Sequence, residues 1–249
     1  PLSLQAVFTA YAAGGDTNNL YYWWNFGGAS QEGYGLGTVT NLYAVPGFYT
    51  VTLTASNSSF EVDSKSKPDY IRVYAATTYA ATNGANLAPY TSWGTAASNV
   101  QDAIDHVMNG GTVMIGTGAY PINNQVMVTR GITVRGAGRA ATILEKAASV
   151  TTRILTMAHA SAQVEGVTLK GGISTVEDDV GGNLLLTSGL LRDSTITAGS
   201  AVYGAGIRMT AGIVSNCTLL ANATKSGSGG SGQGGGAYVT GGTVTHCTI

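Results

Sequence analysis

Charge is scarce in this chain. Lys, Arg, Asp and Glu make up 10% of 249 residues, with twelve cations against thirteen acids and a net charge of −1; an average soluble domain carries about 25%. No basic face is available for nucleic acid or anionic lipid, so neither partner is expected. Cysteine occurs twice, as Cys217 and Cys247, which excludes a disulfide framework and any CxxC metal pattern. The three histidines, His106, His159 and His246, lack the spacing of a metal site. Only five prolines accompany 36 glycines, so the chain is neither collagen-like nor a Pro-rich linker. No run of 18 apolar residues exists, and no membrane-spanning helix is expected. What is present is a 44% apolar fraction, enough for a sizeable core. The polarity comes from Ser, Thr, Asn, Gly and Tyr, a habit of extracellular β proteins.

Residues 1–75 alternate between strand-like runs and turn signals. Leu2–Phe8, Leu20–Phe26, Phe48–Ala55 and Tyr70–Tyr74 read as strands, and Thr50-Val51-Thr52-Leu53-Thr54 has strict period two. Gly14-Gly15-Asp16, Gly27-Gly28 and Pro46-Gly47 read as turns. This spacing predicts a β-sandwich. Alternation places Trp23 and Trp24 on opposite faces. Tyr22, Trp23 and Trp24 are therefore candidates for stacking on a glycan, with core and sheet packing as the alternative role.

The residues of this segment also resemble a known family. Trp24-Asn25-Phe26-Gly27 and Leu42-Tyr43-Ala44-Val45-Pro46-Gly47-Phe48-Tyr49-Thr50-Val51-Thr52-Leu53 are similar to the PKD domain pattern, W-x-F-G-D-G followed by H-x-Y-x-x-P-G-x-Y-x-V-x-L. Gly28 stands where the family usually carries Asp. The resemblance implies an immunoglobulin-like sandwich, missing its first strand, that acts as a spacer or interaction module on secreted and surface proteins.

Residues 76–97 read as a linker and lead-in loop. A short amphipathic helix is predicted over 98–109, because Val100, Ala103, Ile104 and Val107 fall on one face. Ser98 is the expected N-cap and Gly110 the expected C-cap. Beyond the helix, short strands are read at Thr112–Ile115, Gln125–Val128, Ile132–Val134 and Thr142–Leu144. One phrase then recurs, as Val164–Leu169, Leu191–Ile196, Val214–Leu219 and Val244–Ile249, at spacings of 27, 23 and 30 residues. A second phrase precedes the last three copies, as Leu184–Thr187, Ile207–Thr210 and Ala237–Thr240. Repeats of this length without a helix in each predict a right-handed parallel β-helix over 98–249, with coils stacked about 4.8 Å apart. The fold class is thus all-β, a sandwich followed by a β-helix that the single helix caps. Columns Val164/Leu191/Val214/Val244, Val167/Ser194/Cys217/Cys247 and Leu169/Ile196/Leu219/Ile249 are expected to point inward, with a bend between the first two. Thr168/Thr195/Thr218/Thr248 is expected to point outward.

Tyr90-Thr91-Ser92-Trp93, Asn99–Asp105, Gly110-Gly111-Thr112-Val113 and Gly118-Ala119-Tyr120 resemble the start of pectate-lyase-like β-helix domains. Gly234–Tyr238 and Val244–Ile249 are similar to repeats of polymorphic outer-membrane and autotransporter-type proteins. These resemblances imply a large secreted or surface protein of an environmental bacterium. Enzymes of similar fold include polysaccharide lyases, with a Lys or Arg base and Ca²⁺, and hydrolases with Asp clusters. Arg130, Arg135, Arg139, Arg153, Lys146 and Lys170 are the cations such a lyase face would draw on, but no Asp column accompanies them. No catalytic constellation and no cofactor are read from the sequence. Glu177-Asp178-Asp179 is the only acidic run. Three adjacent carboxylates can bind Ca²⁺, and a solvated loop is the alternative. Cys217 and Cys247 are expected one coil apart, as stacked thiols or as a disulfide. Asn57 is the best placed of several matches to the glycosylation acceptor pattern, which also include Asn216 and Asn222.

The favoured reading is a non-catalytic structural or adhesion protein of the cell surface or extracellular space. Two alternatives are a lyase or hydrolase of acidic polysaccharide and a non-catalytic glycan-binding module. Expected partners are other copies of the chain, other surface proteins, or polysaccharide. The last coil, ending at Ile249, and the sandwich, starting at Pro1, are expected to leave open β edges. Further residues of a longer chain would cover them, or a neighbouring subunit in a head-to-tail filament.

Overall fold

Alternation sets the pattern from the first strands. In the computed structural model, which describes residues 3–12, 17, 19–174, 181–225 and 232–249, the chain divides into two compact units, Pro1–Ala75 and Ala76–Ile249. In the first, Leu4–Thr9 pairs antiparallel with Thr38–Tyr43. A four-stranded sheet holds Ser30–Tyr34, Tyr21–Asn25, Gly47–Ser56 and Val62–Val73 in that order. The inward residues Phe8, Trp24, Phe26, Val39, Tyr43, Val51 and Val73 form the core. Trp24 lies flat against Phe26, ring centroids 6.1 Å apart, and its indole N–H donates to the Leu36 carbonyl at 2.9 Å. Each such side chain contributes about 1.5–3 kcal/mol through burial.

The second unit is a parallel β-solenoid of about four turns over residues 118–245. Segment 76–97, read above as a linker, opens with a strand, Ala75–Ala80, that joins the ten-stranded sheet beside Val107–Ile115. Its buried residues Ala75, Thr78 and Ala80 are small, so the run lacks the bulky apolar face that marks a strand in the sequence. Thr78 donates its hydroxyl to the Ala103 carbonyl at 2.7 Å.

The helix is shorter than its apolar spacing predicts. It spans Val100–His106 and is capped at its N-terminus by Asn99, not Ser98; the Asn99 side chain accepts the Gln101 N–H at 2.8 Å. It stops at Val107, not Gly110, because Val107 is drawn into the strand Val107–Ile115. Arg130 replaces a glycine C-cap by donating to the carbonyls of Val107, at 2.7 Å, and of Ile104.

The repeated phrases stack in register. Val134 pairs with Val113 and Val164, Val164 with Leu191, Leu191 with Val214, and Val214 with Val244. On the five-stranded sheet, Tyr120, Leu144, Leu169, Ile196 and Leu219 form the corresponding inward column. The bend between the two columns is a left-handed residue in every copy: Gly166, Asp193, Asn216 and His246 have φ of 68°, 51°, 50° and 52°. Glycine has no Cβ penalty there, and short polar side chains are among those that tolerate the region. The outward threonine column has one exception. Thr168 is buried because its hydroxyl donates to the Arg139 carbonyl, which crosses over it.

A second stack lies at the far turn. Asn183, fully buried, donates to the Thr197 carbonyl at 2.9 Å and to the Asn222 side-chain oxygen at 3.1 Å, and accepts the Gly172 N–H at 2.8 Å. Asn222 accepts the Gly199 N–H and donates to the Ile196 carbonyl, both at 2.9 Å. These bonds satisfy backbone groups that the turn removes from the sheets.

Candidate functional site: an aromatic recess on the sandwich

The strand Tyr21–Asn25 is central in its sheet, so its outward residues have neighbours on both sides. Tyr21 faces Tyr34 on one side and Ser56 on the other; Trp23 faces Glu32 and Thr54. The rings of Tyr21 and Trp23 lie 4.4 Å apart, and Tyr34 meets Tyr21 edge-on at 4.9 Å. Phe60 closes the group from the turn after Ser56. Together with Asn19, Ser56, Asn57 and Ser58, these rings line a recess of about 630 Å³. Trp23 is 39% exposed, Tyr34 71% and Phe60 89%. A contiguous cluster of exposed rings, unlike a single one, is a mark of a binding or interaction surface.

Phe60 sits in a left-handed conformation, φ 63°, which costs a non-glycine residue about 1 kcal/mol. The turn around Asn57 holds it there. The Asn57 side-chain oxygen accepts the N–H groups of Ser59 and Glu61, both at 3.0 Å, and the Phe60 N–H donates to the Asn57 carbonyl at 3.1 Å. The Asn57 amide donates to the Glu61 carboxylate at 2.6 Å. The nitrogen that a glycan would modify is therefore engaged inside the turn.

Of the residues read as glycan-stacking candidates, only Trp23 lies in the recess. Trp24 is buried and Tyr22 packs against the core, because both point inward from the same strand. The sequence reading missed Tyr21, Tyr34 and Phe60. The exposed face of a strand was legible by alternation, whereas the approach of Tyr34 and Phe60 depends on sheet order and on the Asn57 turn.

The other sequence candidates lie elsewhere. Glu177-Asp178-Asp179 falls outside the described residues. Among the described residues, no group of three or more His, Cys, Asp or Glu converges. Cys217 is buried, Cys247 is half-buried, and both are free thiols. They are one coil apart, since Thr218 bridges Thr248, and their sulfurs point the same way, 3.2 Å from the carbonyls of Ser215 and Thr245 respectively. Burial pushes the Cys217 thiol up to about 11. Asn216 donates its amide to Asp193 at 2.6 Å.

The solenoid cations are spread over several elements. Glu165, almost buried, pairs with both Arg135 and Arg192, its neighbours in the preceding and following coils. Arg139 donates to the Asn216 carbonyl at 2.8 Å, and Arg153 to the Gly181 carbonyl at 2.8 Å. On the other sheet, Lys170 pairs with Glu145 at 3.0 Å, while Lys146 donates to the carbonyls of Ala147 and Val150 at 2.8 and 3.0 Å. The geometry shows each of these cations in a local bond that fastens coils, turns or the helix end.

Residues 1–67 match the family model of the PKD domain. No curated protein and no solved structure matches the chain. The chain thus carries a PKD domain followed by a parallel β-helix. No helix among the described residues is long and apolar enough to cross a membrane.

Proposed function

We propose that this protein is an extracellular or cell-surface adhesion module that holds sugar in the aromatic recess of its PKD domain, with the β-helix as a non-catalytic body. The observation that carries the reading is the exposed set Trp23, Tyr34 and Phe60 around half-buried Tyr21, with small polar groups lining the same recess. One face of a pyranose ring presents C–H groups, which an aromatic face attracts through its negative quadrupole. The sugar hydroxyls around that face need donors and acceptors, and Ser56, Ser58 and Asn19 offer them. PKD domains are typical of extracellular proteins, and the low charge and Ser/Thr/Asn-rich composition agree with that setting.

The test is affinity electrophoresis of the full chain in native gels containing soluble polysaccharides. Retardation that disappears with Trp23→Ala supports the reading. If no polymer retards the parent, or Trp23→Ala is retarded equally, the recess is not a sugar site.

A further inference from the structure

We infer that the recess takes an electrically neutral sugar chain, lying extended along the outer face of the four-stranded sheet, and discriminates against acidic polysaccharide. The inference rests on the sugar-binding reading above and adds the chemical class of the ligand.

Charge argues first. No Lys, Arg, Asp or Glu lines the recess among the described residues. The nearest fixed charges by register and bonding are both carboxylates. Glu32 is exposed and directly across from Trp23 on the same face, and Glu61 receives the Asn57 amide. A uronate or sulfate group placed on Trp23 would meet a like charge and find no cation. At about 5 Å, and with an effective dielectric between that of water and that of a protein surface, this repulsion is on the order of 1–3 kcal/mol before salt screening.

Strand alternation explains why the nearby lysines do not compensate. Lys65 and Lys67 lie opposite Leu53 and Val51, which point to the inner side of the sheet. They line a separate cleft with Trp24 and Tyr70. The residues that alternate with them, Ser64 and Ser66, face outward and pair with Thr54 and Thr52 at 2.9 and 3.0 Å. The strand that carries the cations thus presents hydroxyls to the recess face.

Those hydroxyls also give the site its length. From Tyr21 past Trp23 to Asn25, the outward face runs about 13 Å along the strand. Thr54–Ser64 and Thr52–Ser66 continue that face beside Trp23 and Asn25. Hydroxyls and an amide both donate and accept, which matches the edges of successive sugar rings rather than one isolated residue.

The experiment compares neutral hydroxyethylcellulose, laminarin and galactomannan with acidic polygalacturonate and alginate and with cationic chitosan, using the full chain. At least one neutral polymer should bind, with an affinity that changes less than twofold between 50 and 300 mM salt. Trp23→Ala and Phe60→Ala, the latter at an exposed position, should each weaken it about tenfold. Glu32→Gln should leave neutral binding within about twofold and raise the weak affinity for polygalacturonate. Trp23-dependent binding of polygalacturonate, alginate or chitosan in preference to every neutral polymer overturns the inference and leaves the sugar reading standing. No binding to any polymer, or binding that ignores both Trp23 and Phe60, overturns both.

Discussion

Asn57 and Glu61 clasp each other across one turn: the Asn57 side-chain oxygen accepts the Glu61 N–H at 3.0 Å, and the Asn57 amide returns a hydrogen bond to the Glu61 carboxylate at 2.6 Å. This clasp fixes Phe60, the last of the three residues between them, in its left-handed conformation over the recess. Asn57→Ala removes the side-chain acceptor for Ser59 and Glu61. Their amides should exchange with solvent about fivefold faster, as expected from losing roughly 1 kcal/mol of net hydrogen bonding. Sugar affinity should fall with them. Unchanged exchange at both amides would mean that the clasp does not hold the turn.

Asn183 offers a sharper case, because it is buried among backbone groups. Asn183→Ala leaves the buried Gly172 N–H without its acceptor and removes one of two donors to the Thr197 carbonyl, which keeps the Gly171 N–H at 3.0 Å. The expected loss is about 2 kcal/mol, a few degrees in thermal unfolding of the solenoid. A melting temperature equal to the parent's would show that water or relaxed backbone satisfies the same groups.

Leu219 and Leu220 are adjacent and face opposite ways. Leu219 is 3% exposed and stacks on Ile196, whereas Leu220 is 48% exposed. Leu219→Asp buries a charge between coils and should abolish cooperative folding of the solenoid's later coils, at more than about 3 kcal/mol. Leu220→Asp should change stability by less than about 1 kcal/mol. Equal urea midpoints for the two variants would refute the register.

Cys217 links stability to alkaline pH. Its folded-state value is raised by burial to about 11, from an ordinary 9.0. Below about pH 9 both states keep the proton and nothing is lost. Between about pH 9 and 11 the unfolded chain releases its proton while the folded chain holds it, so stability falls as pH rises, by on the order of 2 kcal/mol. Cys217→Ala should remove this part of the pH dependence. At pH 8, iodoacetamide should modify half-buried Cys247 well before Cys217. The reverse order would contradict the burial of Cys217.

The repeat in the sequence determined the solenoid. A strand's period of two leaves little freedom in register once each copy carries the same apolar spacing. Leu169, Ile196 and Leu219 therefore had to stack, with a bend between the first two columns; the structure places that bend at Gly166, Asp193, Asn216 and His246. The PKD-like motif likewise determined the sandwich, through turn glycines and alternating Thr50–Thr54.

Tertiary structure decided the rest. Alternation states that Trp23 and Trp24 point apart, but only the position of the core selects Trp23 as the outward one. Tyr34 reaches the recess because its strand pairs beside Tyr21, and Phe60 because Asn57 folds a turn back over the sheet. Ala75–Ala80 is a strand because a neighbouring strand completes its hydrogen bonds; Thr77, Thr78 and Tyr79 favour extension, but the run has no bulky apolar face to mark it. Asn183 and Asn222 meet across 39 residues, a separation at which local preference carries no information. Sequence period acts between neighbours in the chain, whereas a binding surface is assembled from side chains that only pairing and packing bring together.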